Sequence, residues 1–297
     1  MVLLLLLLAA GVGGLAWSQT ASLPEGYAGS EACAVCHEDI ARAFRRNPHL
    51  SVDNGRAKNV RGREWSSRAC EGCHGAGKAH SESADEKQIF IFKSAAVSRA
   101  NGQCLACHAG EATHRGQLFG SHNRNQLRCT ECHSVHHFTE RPLLASAPNA
   151  LCQSCHLSVR AEFTRPYRHK LREGAMECVD CHNPHGDLPP RDMRRVSANE
   201  NACLKCHGDK RGPFPFEHAP VRLSECSSCH EPHGSANPRM LARHEQSFLC
   251  LECHTTSPSR SGETPPAFHD LRSARFRNCT ICHSKIHGSY VSRALLR

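Results

Sequence analysis

The most apolar part of this chain is its N-terminus. Val2–Leu8 begin an apolar run that continues to about Leu15, and beyond it no long stretch alternates apolar and polar residues. The connections further along are rich in Gly, Pro, Asn and Ser, which are typical of loops. Pro184 and Pro232 should end any helix that reaches them, because proline lacks a backbone N–H donor. The pattern predicts short helical turns joined by loops, with few or no strands.

The N-terminal apolar run has the features of a secretory signal. Ala16-Trp17-Ser18 offers small residues at the cleavage positions. The run is short for a membrane-spanning helix, which needs about 20 residues. We therefore expect residues 1–18 to be a signal peptide and residues 19–297 to be exported to an oxidising compartment. A retained membrane anchor is the alternative interpretation.

The composition is too poor in core-forming residues to hold a domain by side-chain packing. Aromatic residues make up 5% of the 297 residues, and the mean hydropathy is −0.50. Disorder would be the default expectation for so weak a core. The chain also has 20 cysteines and 23 histidines, far above ordinary usage. Cysteine and histidine therefore indicate that something other than side-chain packing stabilises the fold.

Every cysteine belongs to a C-x-x-C-H motif, which is the attachment signature of c-type haem. In this chemistry two thiols form thioether bonds to one haem, and the adjacent histidine binds its iron. The ten motifs comprise Cys33, Cys36 and His37; Cys70, Cys73 and His74; Cys104, Cys107 and His108; Cys129, Cys132 and His133; Cys152, Cys155 and His156; Cys178, Cys181 and His182; Cys203, Cys206 and His207; Cys226, Cys229 and His230; Cys250, Cys253 and His254; and Cys279, Cys282 and His283.

Zinc ribbons and disulfides are the alternative uses of so many cysteines. Cys129/Cys132 and Cys152/Cys155 are separated by 19 residues, which is a zinc-ribbon spacing. Disulfides are common in exported chains. Neither alternative requires a histidine after each cysteine pair, yet one follows in all ten copies. The sequence thus predicts ten covalently attached haem c groups, with the ten motif histidines as proximal iron ligands.

A second set of histidines repeats every two motifs. Three even motifs have a histidine three residues after the attachment histidine, in the segments CHSVH, CHNPH and CHEPH. Another histidine precedes each of the later even motifs by 7 to 10 residues. We expect the ten histidines in this phase to be the distal iron ligands: His49, His80, His122, His136, His169, His185, His218, His233, His269 and His287. His114, His137 and His244 remain outside the set, and His137 competes with His136.

The repeat predicts a multihaem cytochrome c fold. It should consist mostly of loops and short α-helices wrapped around a chain of ten haems, with little or no β-sheet. The haems would supply the apolar core that the sequence lacks, so the apoprotein should be largely unfolded. We expect one domain over residues 19–297 built from two-haem repeats, with two pentahaem halves, about 25–165 and 166–297, as an alternative division.

The charge of the polypeptide is misleading. A formal charge of +9, taken alone, suggests nucleic acid as a partner. Each haem, however, brings a pair of propionates, and ten haems offset this excess. The basic residues are therefore expected to pair with propionates or to lie in solvated loops, and no nucleic-acid partner is expected.

Several segments resemble the decahaem cytochromes of the MtrA/DmsE family. They are CHNPHG (181–186), RGPFPFEHAPV (211–221), CSSCHEPHGS (226–235) and IHGS (286–289), and the resemblance covers roughly residues 27–290. It implies a periplasmic protein, associated with the outer membrane, whose bis-histidine haems form a wire inside an outer-membrane β-barrel partner. The implied electron donor is a periplasmic or inner-membrane cytochrome. Extracellular acceptors or donors such as metal oxides or dimethyl sulfoxide would be reached directly or through an extracellular multihaem cytochrome.

Two other functions fit ten haems. One is a multihaem reductase of nitrite, hydroxylamine or a sulfur oxyanion, and the other is a soluble periplasmic electron-storage cytochrome. A reductase needs an iron with an open coordination position. Because predicted distal histidines match haems ten to ten, the sequence favours an electron carrier that is not an enzyme and has no catalytic residues.

Overall fold

A computed structural model describes most of the chain after the N-terminal apolar run. The described residues are 23–56, 65–114, 116–140, 142–186, 195–197, 200–223, 225–254 and 273–296. The predicted signal peptide (1–18) and the predicted ligand His269 lie outside them.

Short helices separated by loops form the described chain, as predicted. In this part of the protein no helix is long and apolar enough to cross a membrane. The α-helices are α1 Ser30–Cys36, α2 Glu38–Phe44, α3 Leu50–Asp53, α4 Ala69–His74, α5 Lys78–Ser83, α6 Val97–His108, α7 Ser121–Arg124, α8 Cys129–Cys132, α9 Pro148–Cys155, α10 Leu157–Glu162, α11 Cys178–Cys181, α12 Ala219–Arg222 and α13 Gln246–Leu251. Short 3₁₀ helices span Glu86–Gln88, Ala112–His114, Ala202–Lys205, Gly208–Lys210, Cys226–Ser228, Pro238–Met240, Ala274–Phe276 and Cys279–Ile281.

Each of the ten motifs begins in one of these helical turns. The turn is closed where the motif ends, since the backbone N–H of the attachment histidine donates to the carbonyl of the first cysteine. In the motif of α8 this bond joins His133 to Cys129 at 2.9 Å. His133 then leaves the helix with an extended backbone (φ −105°, ψ 123°). A single turn therefore holds both cysteines and the histidine together, and the chain is free to change direction directly afterwards.

The described β structure is limited to two small antiparallel pairs. Strand β1 (Arg195–Ser197) pairs with β2 (Glu200–Asn201). Strand β3 (Phe216–Glu217) pairs with β4 (Gly288–Ser289) in the register Phe216↔Ser289 and Glu217↔Gly288. This confirms the expectation of little β-sheet. The second pair joins two segments that are far apart in the sequence and thereby fixes the C-terminal motif against residues 216–217.

Buried apolar side chains are few. Among the described residues the buried apolar side chains are Ala69, Ala100, Phe163, Leu171, Ala202 and Leu204, and half of these are alanines. The buried polar residues are at least as numerous: Asn47, Glu71, Asn101, Asn183, Ser235, Ser247 and Ser289. Side-chain packing of this extent cannot by itself supply the core of a domain. The fold therefore fits the sequence-based expectation that attached cofactors form most of the interior.

The chain divides into two compact units. The first comprises residues 1–41 and 48–91 and carries two motifs; the second comprises residues 42–47 and 92–297 and carries eight. In the first unit the buried carboxylate of Glu71 accepts hydrogen bonds from the backbone N–H groups of Ala28 (2.9 Å), Gly29 (3.1 Å) and Gly77 (2.8 Å). These bonds anchor the entry to α1 on the helix of the second motif. The division into pentahaem halves stays a prediction.

Candidate functional site

The first cysteine of each odd motif interacts with the first cysteine of the next even motif. In the first unit the thiols of Cys33 and Cys70 hydrogen-bond, which lowers the pKa of Cys70 to about 6. The same contact lowers the pKa of Cys129 and of Cys152 to about 7. The five interacting pairs are Cys33–Cys70, Cys104–Cys129, Cys152–Cys178, Cys203–Cys226 and Cys250–Cys279. Every two-motif repeat thus brings its two attachment points together.

Asparagine side chains hold two of these repeats closed. The Asn101 amide, which lies in α6, donates to the carbonyl of Leu127 (2.9 Å) and accepts from the N–H of Cys129 (2.9 Å). Asn149 in α9 does the same with the carbonyl of Met176 (3.2 Å) and the N–H of Cys178 (3.0 Å). Each asparagine lies three residues before the first cysteine of its motif. The odd helix therefore positions the start of the even motif directly.

Seven attachment histidines face a histidine from the predicted distal set. The pairs, with the distances between ring centres, are His37–His80 (6.2 Å), His122–His156 (6.0 Å), His133–His185 (5.9 Å), His169–His207 (6.3 Å), His182–His233 (6.0 Å), His218–His254 (6.1 Å) and His230–His287 (6.2 Å). Two metal–imidazole bonds of about 2 Å, with roughly 1 Å from each ring centre to its nitrogen, require about 6 Å. The residues present therefore fit one six-coordinate iron between each pair.

The pairing in the second unit follows a simple rule. A histidine three or four residues after an even motif's attachment histidine faces the attachment histidine of the preceding even motif, as His185 faces His133 and His233 faces His182. A histidine ahead of an even motif faces the attachment histidine of the next odd motif, as His122 faces His156. The sequence predicted the members of these pairs but not the partner of each. The rule links every repeat of this unit to its neighbours.

Hydrogen bonds at Nδ1 orient the rings. His122 Nδ1 donates to the carbonyl of Pro184 (2.9 Å), and His169 Nδ1 donates to the carbonyl of Pro232 (2.7 Å). The ring of His218 hydrogen-bonds to the backbone of Ile286. With Nδ1 occupied in this way, the Nε2 atom is the one available to a metal, which is the usual arrangement of metal-binding histidines.

One short segment after each later even motif therefore positions three histidines. In residues 181–186, His182 is the attachment histidine, the carbonyl of Pro184 orients His122, and His185 faces His133. Residues 229–234 repeat this arrangement with His230, Pro232 and His233. Since His182 belongs to the sixth motif, whereas His122 and His185 face the attachment histidines of the fifth and fourth motifs, the segment is a junction between neighbouring attachment sites.

The attachment histidines of several even motifs are held by the loop that follows them. His133 Nδ1 donates to the carbonyl of Pro142, and the backbone of His133 pairs with that of Leu144 in an isolated β-bridge. The bonds of this type are His74–Phe90 (2.8 Å), His133–Pro142 (3.0 Å), His230–Arg239 (2.9 Å) and His283–Ala294 (2.6 Å). These loops fix the tautomer and the ring plane of each attachment histidine.

A glycine follows the histidine at the junctions, and the packing explains why. Gly186 and Gly234 have positive φ values of 101° and 147°. A side chain at Gly234 would collide with the carbonyl oxygen of Glu162, and one at Gly186 would collide with the backbone of Gly116 and Gly120. Glycine is the residue that tolerates both the backbone conformation and the close approach. The junction can thus pack closely against the preceding repeat.

His114, which lies outside the predicted ligand set, is close to two members of the site. Its ring centre is 6.3 Å from that of His108 and 4.0 Å from that of His185, on which it stacks. Glu111 contacts the Nδ1 atoms of His108 (2.6 Å) and His114 (3.7 Å) with its two carboxylate oxygens. Two ligands of one haem place their Nδ1 atoms on opposite faces of the macrocycle, where a single carboxylate cannot contact both. The shared carboxylate contact therefore distinguishes His114 from the seven facing pairs, although its ring distance from that of His108 equals the longest of theirs.

The remaining predicted ligands have less defined roles. His49 precedes α3 in the first unit. The rings of His136 and His137 lie 6.5 Å apart with an interplanar angle of 80°, and the choice between these two histidines stays a prediction. His244 is exposed.

The alternative uses of cysteine find no support in the structure. In the described residues no group of three or more His, Cys, Asp or Glu side chains is placed to hold a metal ion. All twenty cysteines lie in this part of the chain, and none of them forms a disulfide.

Comparisons with known proteins agree with the geometry. Residues 169–212 and 218–258 match the family described as "Doubled CXXCH motif", and residues 70–147 match the family "Cytochrome c-type protein NrfB-like". The chain is similar to the multiheme cytochrome MtrA of Shewanella baltica, with 35% identity over 88% of this chain and 78% of that protein. It is more distantly similar to the high-molecular-weight cytochrome c of Nitratidesulfovibrio vulgaris, with 23% identity over 85% of this chain and 44% of the relative.

These findings confirm the predicted family and cofactor. The twenty cysteines of the ten motifs bind haem c covalently, and the similarity to a multiheme cytochrome supports a role in electron transfer. The chain therefore belongs to the MtrA family of multihaem c-type cytochromes.

Proposed function

We propose that this protein is a bis-histidine electron conduit, in which ten haems carry electrons along the chain and no substrate binds iron. The observation that carries the proposal is the set of seven histidine pairs with ring centres 5.9 to 6.3 Å apart. An iron with two histidine ligands exchanges electrons without bond making at the metal.

The distal ligands in this proposal are the ten histidines predicted from the sequence. For seven haems the facing ring supports a specific partner: His80 serves the haem of His37, His122 that of His156, His169 that of His207, His185 that of His133, His218 that of His254, His233 that of His182, and His287 that of His230. His114 has no place among the ligands, because Glu111 contacts it together with His108.

The junction segments support continuous conduction. A distal histidine and an attachment histidine lie three residues apart in His182 and His185, so the haems that these residues serve are tied to one rigid turn. Within each repeat the first cysteines of the two motifs lie close together, so the two attachment points are neighbours. Close attachment points within repeats and proposed ligand pairs between motifs would together keep neighbouring haems close.

We further propose a periplasmic protein associated with the outer membrane and inserted into a β-barrel partner. A bilayer with its headgroups is about 40–45 Å thick. Loop-rich backbone can lie at membrane depth only where protein surrounds it. A periplasmic or inner-membrane cytochrome would exchange electrons with one end of the wire. Metal oxides, dimethyl sulfoxide or an extracellular multihaem cytochrome would exchange electrons with the other.

The second candidate function is a multihaem reductase of nitrite, hydroxylamine or a sulfur oxyanion. Such an enzyme needs an iron whose sixth position is open to substrate. The seven facing pairs have the spacing that two axial ligands of one iron require, which supports the conduit. Low-temperature magnetic circular dichroism and EPR of the ferric holoprotein test the choice. We expect ten low-spin bis-histidine haems; a high-spin haem that binds nitrite or hydroxylamine would establish the reductase instead.

The β-barrel partner is tested separately. Co-expression with a large outer-membrane β-barrel protein from the same genome should give a complex that survives detergent extraction and size-exclusion chromatography. Reconstituted in liposomes, this complex should pass electrons from external dithionite to an enclosed redox dye. A protein that stays monomeric and leaves the dye oxidised would be the soluble electron store.

A further inference from the structure

The axial histidines are oriented by two chemically different kinds of acceptor. Most of the Nδ1 atoms with a described partner donate to backbone carbonyls, such as those of Pro184, Pro232 and Pro142. Two carboxylates take this role elsewhere. Glu111 accepts from His108 at 2.6 Å, and Glu162 accepts from His233 at 3.0 Å.

The contact of Glu111 is short and direct. His108 is the attachment histidine of the third motif, and Glu111 lies one helical turn beyond it. The second carboxylate oxygen of Glu111 faces His114 at 3.7 Å. The Glu111 side chain is half exposed, but the bonded oxygen is fixed by its histidine partner.

The contact of Glu162 is held by packing on both sides. Glu162 ends α10, and the next residue, Phe163, packs its ring 5.4 Å from the ring of His233. Gly234, directly after His233, lies against the carbonyl of Glu162. The exposed fractions of the His233 and Glu162 side chains are 28% and 35%. The junction thus places this carboxylate on a histidine that faces His182 from another repeat.

A carboxylate acceptor changes the ligand in a way that a carbonyl does not. Charge-assisted hydrogen bonds are roughly twice as strong as bonds between neutral groups. A stronger acceptor at Nδ1 increases the negative charge on the imidazole and makes Nε2 a more basic ligand. A more basic ligand stabilises ferric iron relative to ferrous iron, which lowers the reduction potential.

We propose that Glu111 and Glu162 are positioning residues that lower the potentials of two particular haems, those attached at Cys104/Cys107 and at Cys178/Cys181. This inference rests on the axial ligation given under the proposed function. The third and sixth haems then hold electrons less tightly than haems whose histidines donate to carbonyls. Electrons entering the wire therefore fill the haems on either side first and cross these two as uphill steps.

The variants Glu111→Gln and Glu162→Gln test the inference. Glutamine keeps the length of the side chain and a carbonyl acceptor but removes the charge. In a spectroelectrochemical titration of the holoprotein, the reduction potential of one of the ten haems should be higher in each variant than in the unmodified protein. We expect about a tenfold change in the reduction equilibrium of that haem, which equals about 59 mV for one electron. The double variant should move two equivalents.

Glu131→Gln is the matched control. Glu131 lies within the fourth motif, and its carboxylate is 3.8 Å from Arg128. Removing its charge should shift the titration much less. An equal shift in Glu131→Gln would mean that net charge, and not the histidine contact, sets the potentials, and an unchanged titration in both test variants would also overturn the inference.

Spectra of the same samples separate this inference from the proposed function. Glu111→Gln and Glu162→Gln should keep every haem low-spin, and a new high-spin haem would show that the carboxylates hold ligands in place without tuning them. High-spin haem in the unmodified protein would contradict the bis-histidine conduit itself. If every haem is low-spin and both variants titrate like the unmodified protein, the proposed conduit stands and only the tuning role of the two carboxylates is wrong.

Discussion

Two junctions of the second unit share one local sequence and have different surroundings. His185 and His233 each follow an attachment histidine by three residues and precede a glycine with positive φ. The ring against His185 is that of His114, at 4.0 Å, whereas the ring against His233 is that of Phe163, at 5.4 Å. A carboxylate lies beside both junctions, but Glu162 bonds to His233 itself. At the first junction the carboxylate bonds to the attachment histidine of a different motif.

The comparison separates what the repeat determines from what it leaves open. The ring-centre distances across the two sites, 5.9 Å for His133–His185 and 6.0 Å for His182–His233, are nearly equal. The repeated histidine, proline and glycine therefore place the proposed ligands. The residues that pack on those ligands differ from repeat to repeat, and each iron can acquire its own electrostatic environment on a common backbone.

Loss of a distal histidine should have the largest effect. In His185→Ala the two thioethers at Cys129 and Cys132 remain, and one of the ten irons becomes high-spin because its sixth ligand is gone. EPR of the ferric protein measures the change. Added imidazole should restore the low-spin signal, since it can occupy the vacated position. If all ten haems of His185→Ala remain low-spin without imidazole, His185 is not an axial ligand.

The proposed ligand set shows how much of the site could be predicted from the sequence. The repeat predicts His185 and His233 because both, like His136, lie three residues after an attachment histidine. The partner of each histidine could not be predicted, since it depends on which repeats pack together. Contacts such as that of Glu162 with His233 also could not be predicted from the repeat, because the two residues are 71 positions apart in the sequence. His114 does not occupy a position that recurs in the two-motif repeat, so the sequence gives no indication that its ring stacks on that of His185.

Substitution of the junction glycine should have the next largest effect. Gly234→Ala adds a side chain that collides with the carbonyl of Glu162 at a φ of 147°. We expect a loss of about 3 kcal/mol in the free energy of unfolding, measured by guanidinium titration of the ferric holoprotein. Gly102→Ala in α6 is the control, because its new side chain meets open space and alanine favours the helix. Equal destabilisation by both variants would contradict the packing explanation.

Asn101 and Asn149 should contribute a smaller and equal amount to stability in the two repeats whose motifs they connect. Asn101→Leu and Asn149→Leu each remove the acceptor for a cysteine N–H and the donor to a loop carbonyl. We expect each substitution to lower the free energy of unfolding by about 2 kcal/mol, because partly buried backbone groups lose their hydrogen-bond partners. The low-spin spectrum should not change, since no ligand is removed. A loss at one position but not at the other would mean that the two repeats are closed by different interactions.

The smallest effect is expected where the two junctions are made alike. His114→Phe places at the first junction the ring type that Phe163 provides at the second, and a phenyl ring can stack on His185 as the imidazole does. The substitution gives up the contacts of the His114 ring with Glu111 and leaves the bond from His108 to Glu111 in place. We expect a change in the free energy of unfolding within about 0.5 kcal/mol and ten low-spin haems by EPR. A high-spin iron in this variant would mean that His114 is the ligand opposite His108. The contact of Glu111 with both histidines would then not exclude His114 from the ligands.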